Sequence, residues 1–266
     1  MNLSKFNRGN IDSLLFGTIN LLAQIFAVVW IIVNFSVPLL IGYIVVSLLF
    51  GSLPMIFVHR AWSHKGWTPN YYLNLVGLFI HTISLRSTSL AWVAVHREHH
   101  KHTDTPQDPH SPYIKRWLAV QFGHLNISTT SFVRNTIDLI RQPEHIWFAK
   151  YYWYINILFY GCLYLIDPFV LYCFIAYTGL GLMQTRMVNS LLHNSPWWIS
   201  LDAHKHRGAA NSYSFNLLWI GSGEAWHANH HNDPGNWKLG NKWYQFDTGT
   251  LMIRLFVILG LATVKN

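Results

Sequence analysis

Two uncharged apolar runs, Leu14 to Val33 and Leu39 to Val58, set the first limit on how this chain folds. Each is twenty residues long, and a helix of that length rises ~30 Å, the depth of a bilayer's hydrocarbon core. Backbone groups in that core must bond within their own segment, so each run reads as a spanning helix. Pro38 marks the short turn between them, and Pro54 is expected to kink the second run near its end. Tyr151 to Ile166 and Pro168 to Thr185 form a second pair joined at Asp167, with Pro168 suited to a helix start. The first of these is short, which suits a tilted or partly buried helix. Trp147, Tyr151, Tyr152, Trp153 and Tyr154 would lie at its membrane interface.

These runs predict an all-α integral membrane protein, one domain over residues 1–266, with four transmembrane helices in two hairpins. Composition agrees. Charged residues make up 11% of the chain, against about 25% in soluble domains. The turns near Asn34 and Asp167 are tiny, so the long polar segments, residues 59–150 and 186–266, fall on one side with the N-terminus. Residues 59–150 carry ten Lys and Arg against five Asp and Glu. The positive-inside bias then places both segments, and both termini, in the cytoplasm as a cap. The net charge of +8 forms no stripe along the chain, which favours an anionic membrane surface over nucleic acid. Tyr71 to Ser84 and Thr250 to Thr263 are too short to span and read as interfacial helices. The first twelve residues are mostly polar, with Lys5 and Arg8, and the run after them is too long for a signal peptide's apolar core. Cys162 and Cys173, the two cysteines, support neither a disulfide framework nor a thiolate zinc motif.

Sixteen histidines are the anomaly, and they cluster. His59 and His64 follow the second run. His96, His99 and His100 form H-R-E-H-H, and His227, His230 and His231 form H-A-N-H-H. Positions i, i+3 and i+4 share one helix face. Adjacent histidines diverge by ~100° and can point at two different ions, so this spacing suits a dinuclear centre. His59 and His64 are too far round for one regular helical face, so the helix is expected to end between them. His193, where the last run leaves the membrane, is a further candidate. His81, His124, His145, His204 and His206 read as hydrogen-bonded or surface residues, and His102 and His110 stay open.

Imidazole suits zinc, copper, iron and nickel, so the ligands alone do not choose the metal. A structural zinc site closes with four ligands; twice that number without thiolates favours two redox metals with open positions. Glu98, Asp104 and Asp108 lie close enough to the second box to orient imidazoles, or are ordinary solvated charges. Arg60, Lys65 and Arg97 would hold a lipid headgroup, or simply belong to the inside-positive charge.

At these residues the sequence resembles the membrane-bound fatty acyl desaturase family. The matching segments are H-R-A-W-S-H from His59, H-R-E-H-H-K from His96, D-P-H-S-P from Asp108, N-S-L-L-H from Asn189, G-E-A-W-H-A-N-H-H from Gly223 and W-Y-Q-F-D from Trp243. They run in family order over residues 40 to 260. The resemblance implies a four-span bundle under a cytosolic cap that carries a diiron centre. It implies nine ligands: His59, His64, His96, His99, His100, His193, His227, His230 and His231, with Asn189 acting through water. It implies a closed acyl tunnel beneath the metals, lined by Tyr43, Ser47 and Trp92, although Tyr43 and Ser47 could equally pack against a neighbouring helix.

The implied reaction uses O2 and two external electrons to remove two hydrogens from an acyl methylene pair. The pattern resembles the Δ9 class of the bacterial and plastid type, which acts on glycerolipid acyl chains. Ala94 and Val95 stand where acyl-CoA members carry an Arg-Asp pair. No electron-carrier domain is evident, so a separate donor must dock, with ferredoxin favoured and cytochrome b5 the alternative. Oligomeric state stays open. The rival readings are acyl-CoA desaturation, a diiron hydroxylase or ketolase on the same scaffold, and a metal-binding protein or transporter. H-E-x-x-H is absent, which argues against a zinc protease.

Overall fold

The computed structural model describes residues 9–112, 120, 127–193, 202–206, 209–218 and 222–265. Helix α1 (Gly9–Val33) is followed by α2 (Val37–Phe50), which Ser36 caps by accepting from the Leu39 amide. The regular α-helix is interrupted at Gly51 and Ser52, just ahead of Pro54, although both keep right-handed helical backbone angles. A single turn, Leu53–Met55, then leads into a π-helix, Ile56–Ser63. Three stretches are long and apolar enough to cross a membrane: Leu15–Val33, Val37–Ser63 and Pro168–Leu191. The chain is a membrane protein.

The remaining helices build the cap and its supports. Asn70 caps α3 (Tyr71–Ile83) and Thr88 caps α4 (Ser89–His102). Helices α5 (Thr129–Ile140) and α6 (Pro143–Lys150) pack on α4. Helices α7 (Tyr152–Ile166) and α8 (Pro168–Leu191) meet at Asp167, whose carboxylate accepts from the Phe169 amide. At 15 residues α7 is ~22 Å long, short of the ~30 Å core. Tyr151 separates it from α6 and Asp167 stops it, so the third of the four expected spans keeps the short length read from sequence and is not among the three spanning stretches. Helix α1 packs far more extensively on α8 than on α2. Gly179 permits that approach, because a Cβ there would sit 2.1 Å from the Ala23 carbonyl oxygen. Ala23 and Ala27, one turn apart, supply the small facing surface.

The fold is not purely helical. Strand β1 (Trp67–Pro69) pairs antiparallel with β4 (Ala262–Val264), and β2 (Asp202–His206) with β3 (Ala209–Asn211). The first pair ties the start of α3 to the end of α11 (Thr248–Ile258). Helices α3 and α11, too short to span, bury one face and expose Tyr72, Val76, Phe79, Leu251, Leu255 and Ile258 on another. Short helices α9 (Tyr213–Leu218) and α10 (His227–Asn232) complete the cap. The main core gathers Ile56, Phe57, Val58, Trp67, Leu78, Leu90, Val93 and Ile253, directly behind the histidines. His124 lies outside the described residues, and His204 and His206 fall in β2.

Candidate metal centre

The π-helix brings the first box together. Its i→i+5 pattern stacks residues five apart; the His64 amide donates to the His59 carbonyl at 3.3 Å, and the two rings lie 5.3 Å apart. The helix therefore does not end between them, as the regular-helix argument expected. It widens instead, and His64 caps it. Helix α4 supplies His96, His99 and His100, α10 supplies His227, His230 and His231, and His193 sits just beyond α8.

Nine imidazoles fall into two groups, His59, His64, His96, His100 and His230 in one and His99, His193, His227 and His231 in the other. Adjacent residues part company: His99 and His100 go to different groups, as do His230 and His231. Within the first group Nε2 of His59 and of His100 each lie 2.9 Å from Nε2 of His230, and His64 Nε2 is 2.8 Å from His96 Nε2. Within the second, His227 Nε2 is 2.9 Å from His193 Nε2 and 3.1 Å from His231 Nε2. Protons alone do not explain this, since His230 Nε2 meets two other ring nitrogens at once and a neutral ring carries one N–H. Ligands ~2.1 Å from an ion are ~3.0 Å apart along an octahedral edge and ~3.4 Å along a tetrahedral one. The observed spacings match the octahedral edge. His99 Nε2 is buried without a hydrogen-bond partner, as a ligand atom would be. Burial first, then repulsion from neighbouring rings, holds His64, His96, His99, His100, His227, His230 and His231 well below the usual imidazole range. They are therefore neutral at physiological pH, the form that binds metal.

Carboxylates fix several rings from behind. Asp108 Oδ2 lies 2.8 Å from His99 Nδ1, and Asp104 Oδ2 lies 3.1 Å from His193 Nδ1. Burial pushes Asp108 up to about 6, against the pull of amide donors from His110 and Asp104. Glu98 does not reach a box imidazole. It accepts from Ser131, Asn135 and Arg134, with His102 at 3.8 Å. Sequence reasoning missed Glu224, whose Oε2 is 2.6 Å from His59 Nδ1. It stands three residues before His227, just ahead of the third box. Burial opposes its charge, but His59 and Arg60 outweigh burial and hold its pKa down at about 2. His110 stacks on His99 at 4.1 Å, beside Asp108, and forms a smaller grouping with them. His81 and His145 are fully buried, with His145 Nδ1 2.9 Å from Ser89 Oγ.

Arg60 is not at a headgroup-binding surface. Its buried guanidinium donates to both Asp247 oxygens at 2.9 and 3.0 Å, to Glu224 at 3.1 Å, and to the carbonyls of Ser222 and Trp237. Gly223, at φ +84°, lets the chain pass beside this pair, since a Cβ there would meet Asp247 Oδ1 at 2.4 Å. Arg97 likewise turns inward, to Asp138 and to the carbonyls of Ser63 and Asn135. Lys65 is exposed and pairs with the same Asp138 at 2.8 Å.

Beneath the rings lies a small cavity lined by Trp92, Gln184, Thr185, Val188 and Asn189 together with His59, His96 and His227. Trp92 stacks on His96 at 4.7 Å. Gln184 also lines a longer, mainly apolar cavity of about 200 Å³ that runs between α2, α3 and α8 past Ser47 to Tyr43 and Tyr177. Tyr43, Ser47 and Trp92 thus all line cavity wall, with Trp92 in the chamber next to the histidines.

Fold and site together define a membrane protein with a buried, multi-histidine metal site above an apolar cavity. No family profile matches the chain. Curated relatives do: it is 32% identical to an sn-2 palmitoyl-lipid 9-desaturase of Nostoc over 229 residues, 80% of this chain and 76% of the relative. It is 31% identical to a Delta-9 desaturase-like 5 protein of Arabidopsis thaliana, covering 77% and 69%. It is also 31% identical to an acyl-CoA C20 Delta5-desaturase of Anemone leveillei, covering 77% and 66%. The chain thus spans about two thirds to three quarters of these relatives' lengths. It belongs to the fatty acid desaturase family, a family of oxidoreductases.

Proposed function

We propose that residues 1–266 form one multi-pass membrane desaturase domain that uses O2 to place a cis double bond, at the Δ9 position, in a glycerolipid acyl chain. The observation that carries this reading is two imidazole groups around a small chamber lined by His59, His96 and His227, which shares Gln184 with an apolar cavity that passes Ser47 and Tyr43. The nine histidines would hold two iron ions, the group of five one and the group of four the other, with Asn189, in the chamber wall, as a further contributor through water. When bound, the irons supply O2 activation and the oxidising power to take two hydrogens from adjacent methylenes. The balance is one acyl CH2–CH2 pair, O2, two electrons and two protons giving CH=CH and two waters.

The protein's own residues do the rest. Trp92 and Val188 wall the chamber and keep the reacting carbons away from bulk water. Binding of the remote chain in the long cavity sets which carbons lie under the metals. Glu224, Asp104 and Asp108 fix the orientation of His59, His193 and His99. Both termini and the cap face the cytoplasm, where ferredoxin supplies the electrons. Ala94 and Val95, in place of a charged pair, support an acyl-lipid substrate over acyl-CoA. The test is a lipid profile of a host expressing the chain beside one expressing His100→Ala. New cis-Δ9 monoenes in glycerolipids, absent with the variant, are expected. Hydroxylated or keto products would overturn desaturation, and monoenes confined to acyl-CoA would overturn the substrate class.

A further inference from the structure

Arg86 lies on the loop between α3 and α4, 8% exposed, in the wall of the long cavity. One Nη donates to Thr185 Oγ1, and Thr185 lines the chamber under the histidines. The guanidinium therefore sits where the two cavities meet. Its other Nη rests against Gly181, where an added Cβ would approach to 2.8 Å. The loop that delivers it holds two non-glycine residues in the left-handed region, Leu85 at φ 55° and Ser87 at φ 76°. Such backbone persists only where the surroundings enforce it. Here Asn20 Nδ2 donates to the Leu85 carbonyl at 2.9 Å and fixes the turn.

Arg60 and Arg86 are both buried, but only Arg60 is neutralised. Among the described residues Arg86 makes no ion pair, and its Nε has no hydrogen-bond partner. Burial, and the nearby Arg186, draw its pKa down to about 10, partly offset by Tyr177 and Glu224, so it stays a cation at neutral pH. A buried cation without a counter-group is unfavourable, and its remaining N–H groups need acceptors. The cavity beside it is lined mainly by apolar groups such as Ile80, Ile83 and Phe174, and its polar members, Ser47, Tyr177, Thr178 and Gln184 among them, carry no counter-charge. Whatever fills that cavity is placed to supply the acceptor.

We infer that Arg86 forms a binding site for an oxygen acceptor carried by the acyl chain itself, on the methyl side of the carbons that react. This rests on the desaturase reading, in which the headgroup stays at the polar surface and the methyl end runs towards Tyr43. A hydroxyl, keto or epoxide oxygen at that depth meets the guanidinium, whereas a plain chain leaves it unsatisfied. Arg86 then selects oxygenated acyl chains.

The test uses the full chain in lipid nanodiscs with stearoyl phospholipids, plain or carrying one hydroxyl at successive carbons of the methyl half. Lipid retained after purification is counted by mass spectrometry for wild type, Arg86→Gln and Arg86→Met. Wild type is expected to retain one or two adjacent positional isomers at least about tenfold over the plain chain, the usual worth of a buried charged hydrogen bond. Arg86→Met brings that ratio close to one. Equal retention of plain and hydroxylated lipid by wild type, or an unchanged ratio in Arg86→Met, overturns the inference. Should neither variant fold, the wild-type profile decides: a sharp positional peak supports the site and a flat profile removes it. Retention needs no turnover. A failed desaturase reading would therefore appear separately, as no alkene from any chain while the retention peak remains.

Discussion

Replacing Glu224 tests the support of the metal site most directly. Its carboxylate is 3% exposed and bridges His59 Nδ1 and Arg60. A drop from 4.5 to about 2 corresponds to ~3 kcal/mol of folded-state preference for the charged form. The folded pKa lies below the unfolded one, so this stability is present above pH 4.5 and disappears as pH falls towards 2. Glu224→Gln keeps the volume and one acceptor for His59 but leaves Arg60 short of a charge. We expect ~3 kcal/mol of destabilisation at pH 7, shrinking as the pH falls through that window. Glu224→Ala also frees the His59 ring and should weaken metal binding by ~10–100-fold. The assay pairs thermal unfolding of detergent-solubilised protein, across pH, with metal per chain by mass spectrometry. A Glu224→Ala protein with wild-type metal content and an unchanged unfolding profile would refute the reasoning.

Other outcomes follow from the same geometry. His96→Ala, His100→Ala, His227→Ala or His231→Ala should each abolish product while the protein stays in the membrane fraction; an active variant removes its residue from the ligand set. Enlarging Ser47 to Phe, or shrinking Tyr43 to Ala, should shift products to shorter or longer chains respectively, and unchanged profiles from both discard these residues as the tunnel end. Gly179→Val should cost ~1–3 kcal/mol or separate α1 from α8, because its Cβ meets the Ala23 carbonyl; a normal melting point would count against that contact. Burial lowers His145 to about 4, so it stays neutral in the fold while the unfolded chain takes up a proton. Stability should therefore fall from pH 6.5 down to about 4, by up to ~3 kcal/mol, and His145→Gln should remove that slope.

The apolar runs and the three histidine boxes were legible because each depends on local spacing. A bilayer demands a continuous uncharged run, and i, i+3, i+4 histidines share a face wherever the chain is helical. Asp104 and Asp108 were legible as neighbours of the second box. Elements set by partners far along the chain were not. The π-helix that unites His59 with His64 looks, residue by residue, like any helix end. Arg60 reads as an inside-positive charge until Asp247, 187 positions away, is seen to close on it. Glu98 stands within the second box and Glu224 just ahead of the third, yet only Glu224 reaches a box imidazole. The paired strands β1 and β4 are three residues each and come from opposite ends of the cap. Sequence alone therefore settled the membrane character, the boxes and the family resemblance, since these rest on periodicity and residue type. Only the tertiary structure decided which imidazoles gather together, which carboxylates face them and that of Arg60 and Arg86 only Arg60 has an ion pair, because distance in space between remote segments sets each of these.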